Sequence, residues 1–464
     1  MVFSSAIFLQ MFLPITFILN WIIPQKCSNI LLLIASMIFY AWGEPKFVFL
    51  MVALIAFNWG EGKAVENNNG IKKKVVLTIG VLINLLALGY YKYIGFLASI
   101  INKILGSNAV PIPNVALPIG ISFFTFQAIS YLVDVYRGET KASPKLVNVA
   151  LYISFFPQLI AGPIVKYRDI NKQIENRSVT WEGVAVGFKR FIYGLAKKVL
   201  ISNVLGMCVD TIYTYEVAQI DWKAAWIGAL AYTFQIYYDF SGYSDMAIGL
   251  SKMFGFEIPE NFNYPYMSKS ITEFWRRWHI SLGSWFREYI YIPLGGNRKG
   301  VVRTYANLAV VFFLTGLWHG ADFSFVLWGL YHGFFSIIER IGLKKALKKT
   351  KIISGIYSFL VVNYGWVLFR AGNIETGLSL IKRMIMPWMH INTEISLWDY
   401  VDSKTIFVGA CAVLGMGFLQ FIPSDIKMKW KNSALEALYC VGLLILCLAA
   451  IASDTYNPFI YFQF

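Results

Sequence analysis

Hydrophobic segments recur from residue 4 to residue 451 of this 464-residue chain, with no long polar stretch between them. That pattern leaves few folding options. In hydrocarbon every backbone N–H and C=O must be paired internally, which only helices and closed barrels achieve. The apolar runs here are continuous, not alternating, so the expectation is an all-α, polytopic integral membrane protein. Composition agrees: 57% of residues are hydrophobic and only 14% charged, against roughly 25% charged in soluble proteins. The 15 Trp, 27 Tyr and 37 Phe are enough to populate aromatic belts at both interfaces.

After a retained helix in the first twenty residues, spans are expected near 29–42, 46–58, 76–98, 184–206, 223–250, 304–318, 323–339, 352–369, 404–421 and 433–451. That makes about 11 crossings in one polytopic domain covering residues 1–464, several of them shorter than the ~20 residues that span ~30 Å. Residues 115–136, entered through Pro118 and Gly120, and 146–165, broken at Pro157 and ending in Ala161-Gly162-Pro163, read as re-entrant. Irregular backbone at membrane depth survives only against protein or a water-filled cavity, so these breaks point to a central cavity.

The formal net charge of +15 is concentrated in short loops: Lys72–Lys74, Lys166 to Arg190, Arg276 to Arg303, Arg340 to Lys351, and Lys427 to Lys431. Cytoplasmic loops carry this excess. No basic domain stands apart from the helices, so nucleic acid is not an expected partner. On the resulting map the N-terminus, the Asp210 to Asp221 loop, the loop with Glu394, Asp399 and Asp402, and the C-terminus face outside. His279 falls on a cytoplasmic-side segment, partly buried, and His319 ends a span that starts inside near Arg303. The five cysteines form no CxxC pair and no alternation with histidine, so neither a disulfide framework nor a metal site is expected.

Of the four histidines, two sit in compact aromatic motifs. An ionisable group within or beside a membrane span is a functional site by default. His279 lies in Glu273-Phe-Trp-Arg-Arg-Trp-His-Ile-Ser281, and His319 in Leu314-Thr-Gly-Leu-Trp-His-Gly320. Ser268 and Ser270 offer caps to a helix through residues 273–282. On it Trp275, Trp278, His279 and Leu282 share one face at i, i+3, i+4 and i+7 spacing. Beside apolar helices the charged form of His319 is disfavoured, which suits a general base taking a hydroxyl proton, with Gly320 letting backbone or substrate approach. A satisfied interhelical histidine is the competing reading. His332 reads as a packing residue and His390 as a surface one.

Three further stretches stand out. Tyr291-Ile-Pro-Leu-Gly-Gly-Asn-Arg-Lys-Gly300 is a glycine-rich basic loop: either a plain turn beside a positive patch, or, with Arg276, Arg277, Asn297 and Arg298, a contact for the phosphates of an anionic acyl carrier. Tyr237 to Met246 crowds Asp239, Ser241, Ser244 and Asp245 into the inner end of a span, as a cavity wall or a helix-end network would. The tail Phe459-Ile-Tyr-Phe-Gln-Phe464 is aromatic where termini are normally polar; it either anchors at the interface or presents Tyr461 as a nucleophile.

The ordered series Asn261-Phe-Asn-Tyr-Pro-Tyr266, Glu273 to Leu282, Tyr289-Ile-Tyr-Ile-Pro-Leu-Gly-Gly-Asn-Arg298 and Gly316-Leu-Trp-His-Gly320 resembles the membrane-bound O-acyltransferase family, in particular its bacterial alginate O-acetyltransferase-like branch. Blocks at Tyr237 to Gly249, Phe123 to Tyr136 and Phe155 to Val165 extend the resemblance. It implies a ring of tilted helices around a central tunnel in a bacterial cell membrane. The thioester co-substrate, acetyl-CoA or an acyl carrier protein, would enter from the cytoplasm; no bound cofactor is implied. By motif match His319 is the catalytic histidine and His279 the second family histidine, in a position where many eukaryotic relatives carry Asn. The tail resembles an acyl-relay motif, in which Tyr461 would pass the acyl group to an extracytoplasmic SGNH-type acyltransferase partner and onward to a polysaccharide hydroxyl. The self-contained tail favours acetyl over other acyl groups. Alginate, cellulose, another exopolysaccharide, peptidoglycan and teichoic acid all remain open as acceptor. The rival class is a proton-coupled transporter or flippase of lipid-linked sugars.

Overall fold

The computed structural model describes residues 1–389, 396–422, 433–453, 456–458 and 460. All regular structure among them is helical. Seven helices are long and apolar enough to cross a bilayer: Gln25–Gly43, Val48–Asn67, Gly70–Leu105, Trp181–Thr214, Val301–His319, Lys351–Arg370 and Ala434–Ser453. Phe8–Ile22 and Ser403–Gly415 are shorter apolar helices. The expected count of about 11 exceeds these seven by four: those two shorter helices and two more. Trp222–Met253 has 32 residues but carries Asp239, Ser241, Ser244 and Asp245, and Phe323–Ile338 has only 16. Large apolar side chains turn outward on the spans; on Ala434–Ser453, Leu435, Leu438, Ile445 and Leu446 are all more than half exposed. Such a surface is untenable in water and natural in lipid.

The chain divides into two compact units, residues 1–191 with 246–259, and residues 192–245 with 260–464. In the first, Ile121–Arg137 is buried on every side over residues 121–132. Tyr131 packs so closely on Gly62 that a Cβ there would lie 2.4 Å from the phenol oxygen. Val48–Asn67 and the Gly70 helix are tied by a reciprocal amide pair, with Asn58 donating to Asn84 at 3.0 Å and Asn84 back at 2.8 Å. The break near Pro157 separates Leu146–Ser154 from Phe156–Leu159. Residues 148–166 are buried throughout, so protein covers the irregular backbone, as it must at membrane depth.

In the second unit, Val301–His319 and Phe323–Ile338 form an antiparallel hairpin. Asp322 caps the second helix, accepting from Ser324 N–H at 2.7 Å. The helices cross at two glycines: a Cβ on Gly316 would sit 2.3 Å from the Phe325 carbonyl oxygen, and one on Gly329 2.3 Å from that of Phe312. Small residues at a crossing let membrane helices approach to backbone contact. Lys351–Arg370 packs on the hairpin through Trp366, which stacks on Trp328 at 5.8 Å.

Candidate active site

The expected continuous helix through residues 273–282 does not form. Ile271–Arg277 and Ile280–Phe286 are separate seven-residue helices. Between them His279 adopts φ +46° and ψ +53°, one of only two non-glycine residues at positive φ among those described. This conformation costs roughly 1–2 kcal/mol for an L-residue, so something must hold it. The loop 261–263 does: Asn263 N–H donates to the Arg277 carbonyl at 2.9 Å, and Ile280 N–H to the Asn261 carbonyl at 3.0 Å. Groups that a continuous helix would pair internally are paired by this loop instead. His279 therefore does not share a helical face with Trp275 and Trp278, and it is 1% exposed, fully buried and not half so. Of the two candidate caps, Ser270 accepts from Glu273 N–H at 3.0 Å.

The Asn261 side chain completes the grip. Its Oδ1 accepts from Ser281 N–H at 3.2 Å, from the Ser281 hydroxyl at 2.8 Å and from His279 Nδ1 at 3.1 Å. Its Nδ2 donates to Ser244 Oγ at 3.1 Å. A backbone N–H can only donate, so Ser281 identifies this amide atom as the acceptor oxygen, and the network assigns the His279 proton to Nδ1. Nε2 then carries the lone pair, and among the described residues it has no hydrogen-bond partner. His279 lies outside the long spans, and burial holds its imidazole far below the usual range, to about 3. It is a neutral base with Nε2 available.

His319 is the last residue of its helix and 2% exposed. Its ring meets Trp318 at 4.9 Å, Trp328 at 5.0 Å and Phe369 at 5.3 Å between centroids. Trp318 also meets the His279 ring at 5.9 Å. The two histidines, forty residues apart in sequence, thus flank a single indole. Gly320 does not leave open space beside the imidazole, because a Cβ there would fall 2.1 Å from the Phe325 ring; the glycine admits Phe325. His332 is a packing residue, wholly buried between Trp275 at 5.2 Å and Trp328 at 5.1 Å. His390 lies outside the described residues.

The residues proposed for the donor side are divided. Arg277 is engaged by Glu273, 2.8 Å away at i,i+4, and by the Asn263 carbonyl at 3.3 Å. Arg276, Asn297 and Arg298 are exposed. The 291–300 loop is a tight turn with Gly295, Gly296 and Gly300 at positive φ, pinned by Asn307 donating to the Gly296 carbonyl at 2.9 Å.

Tyr461 lies outside the described residues, but residues 456–458 and 460 before it do not. Ile460 N–H donates to Asp239 Oδ2 at 2.9 Å. Asn203 donates to the Tyr456 carbonyl at 3.1 Å, and the Tyr456 hydroxyl to Asp210 Oδ2 at 2.5 Å. Phe240, next to Asp239, packs edge-on against His279 at 4.6 Å. Sequence reasoning assigned no role to Asn261, which stood in a quoted motif, and overlooked Lys198, the cation paired with Asp239 at 2.6 Å. A lysine inside an apolar span is itself a signal, and that one was available.

Comparison with known proteins identifies the family. Residues 137–369 match the membrane-bound O-acyltransferase family. The chain is 39% identical to a probable alginate O-acetylase of Pseudomonas putida, with both chains covered in full. It is 36% identical to a peptidoglycan O-acetyltransferase of Helicobacter pylori over 100% of this chain and 98% of that protein. To a teichoic acid D-alanyltransferase of Bacillus subtilis it is 29% identical over 54% of this chain and 68% of that one. These relatives set the flippase reading aside. The chain belongs to the membrane-bound O-acyltransferase family and is a multi-pass membrane acyltransferase.

Proposed function

We propose that this enzyme moves an acetyl group from a cytoplasmic thioester, acetyl-CoA or an acyl carrier protein, through a central tunnel to a polysaccharide hydroxyl outside a bacterial plasma membrane. His319 acts as general base and Tyr461 as acyl relay. As the Tyr461 oxygen attacks the thioester carbonyl, its phenolic proton passes to the imidazole; the C–S bond breaks, an aryl ester forms, and the departing thiolate takes the proton. A phenol, with a pKa near ~10 in water, needs such a base, and general-base assistance is worth ~10²–10⁴-fold. A hydroxyl of an extracytoplasmic SGNH-type partner then attacks the aryl ester, its proton going to the departing phenolate, and the partner delivers the acetyl group to a sugar hydroxyl. The acetyl group is small and uncharged, so it crosses while the charged carrier stays on the cytoplasmic side, where Arg276, Arg277, Asn297 and Arg298 contact it.

One observation carries this reading. His279 and His319 flank Trp318, and the residue before Tyr461 is bonded to Asp239, the neighbour of the Phe240 ring that packs on His279. The relatives named as O-acetylases of alginate and peptidoglycan support acetyl as the acyl group and a glycan as the acceptor. The test is mass spectrometry of the C-terminal peptide after the purified chain, in nanodiscs, meets labelled acetyl-CoA. An acetyl ester on Tyr461 is expected. A preparation that acetylates polymer with its partner yet never carries that ester would remove the relay.

A further inference from the structure

Lys198 and Asp239 form an ion pair with Nζ 2.6 Å from Oδ1, and they are 3% and 0% exposed. Burying two charges together is weak evidence for stability, because desolvation offsets most of the attraction. The pair therefore asks for another reason to exist, and the tail supplies one. The second carboxylate oxygen accepts the Ile460 N–H at 2.9 Å, and Lys198 Nζ donates to the Pro458 carbonyl. Both bonds go to main-chain atoms, and both are charge-assisted, hence roughly twice as strong as neutral ones. Asn203, on the helix that follows the Lys198 turn, extends the grip to the Tyr456 carbonyl. Phe240, the neighbour of Asp239, is the ring packed on His279.

We infer that the Lys198–Asp239 pair is a positioning clamp: it holds the backbone of residues 458 and 460, and so fixes the chain immediately before Tyr461. The inference rests on the relay reading for its purpose, but its geometry can be tested alone. Because the clamp grips backbone, it is indifferent to the side chain at 460 while an N–H remains. Ile460→Val is therefore tolerated, and Ile460→Pro, which deletes the donor, is not.

Single replacements strand one buried charge and destabilise for that reason alone. The informative variant is the double D239L/K198M, which leaves no unpaired charge and removes both bonds to the tail. The full chain in nanodiscs is followed by thermal melting, by maleimide labelling of Ile460→Cys read on the C-terminal peptide, and by the acetyl ester on Tyr461. Ile460 is 8% exposed, so the cysteine is protected when the clamp is intact. The double variant should melt near wild type, label about tenfold faster and form about tenfold less ester, with the KM for acetyl-CoA unchanged. Unchanged labelling in the double variant would overturn the clamp, whatever the ester shows. Labelling that rises in the double variant, in a wild-type chain that turns over without the ester, would keep the clamp and remove only the relay.

Discussion

Asn261 Oδ1 accepts from His279 Nδ1 at 3.1 Å, and this one bond decides which nitrogen of His279 carries the lone pair. The same oxygen holds Ser281 through two more bonds, so the amide fixes both the proton and the ring orientation. Outer partners of metal-bound histidines typically matter by 10–100-fold, and the same order is expected of an amide that sets a tautomer. Asn261→Ala should lower kcat by about that factor with little change in the KM for acetyl-CoA. Asn261→Asp places a carboxylate against Nδ1 and favours the imidazolium, so the acid limb of its kcat profile should move to higher pH. Steady-state kinetics across pH separate the two variants.

Burial keeps His279 neutral in the folded chain, with its pKa lowered to about 3 from 6.5. Unfolded, the same ring binds a proton below about 6.5, so between the two values the unfolded state holds more protons and folding stability rises with pH. The His279 contribution is fully present above about 6.5 and is lost progressively as pH falls towards 3. Melting of wild type against His279→Asn from pH 7.5 to 4.5 checks this: the difference between the two curves should shift in favour of the variant as pH falls.

Gly316→Ala puts a methyl group 2.3 Å from the Phe325 carbonyl oxygen and 3.2 Å from the Gly329 Cα. Backbone cannot yield as a flexible side chain can, so the hairpin must open where His319 ends its first helix. Overpacking of this kind costs about 1–3 kcal/mol, and a displacement near 1 Å at a reacting group costs ~10²-fold in rate. The variant should melt lower and lose about two orders of magnitude in acetyl transfer, whereas Gly355→Ala, with nothing within 4 Å of the new methyl, should lower neither.

Glu339 caps the helix leading to His279 from another element. Its carboxylate accepts from Ile271 N–H at 2.5 Å, Thr272 N–H at 2.9 Å and the Thr272 hydroxyl at 2.7 Å, where a helix N-terminus favours an anion. Glu339→Ala strands buried donors at ~1–3 kcal/mol each, so it should melt well below wild type. Glu339→Gln keeps one acceptor oxygen but turns its amide NH2 towards the other backbone donor, so it should melt between Glu339→Ala and wild type by the same measurement.

The membrane class, most helices and the aromatic histidine motifs were legible because lipid imposes a simple rule on long apolar runs. The break at His279 was not. The spacing of Trp275, Trp278, His279 and Leu282 fits a helix, and only the loop 261–263, with Asn261 eighteen residues before His279, overrides it by supplying alternative partners. Long-range pairing of that kind leaves no periodic trace. Gly320 was misread for a similar reason: its smallness was legible, but not that the Phe325 ring fills the space. Asp239 was legible only as one of a crowd of polar residues and Lys198 not at all, since their meeting depends on packing between Lys197–Ser202 and Trp222–Met253.

The account turns on imidazole chemistry at His319, and one measurement addresses it most directly. Purified His319→Ala chain in nanodiscs is given labelled acetyl-CoA, and the acetyl groups reaching both Tyr461 and polymer are counted, with melting to establish that the fold is intact. Loss of at least ~10²-fold in both products from a folded chain is predicted. Wild-type transfer by that variant would contradict the account.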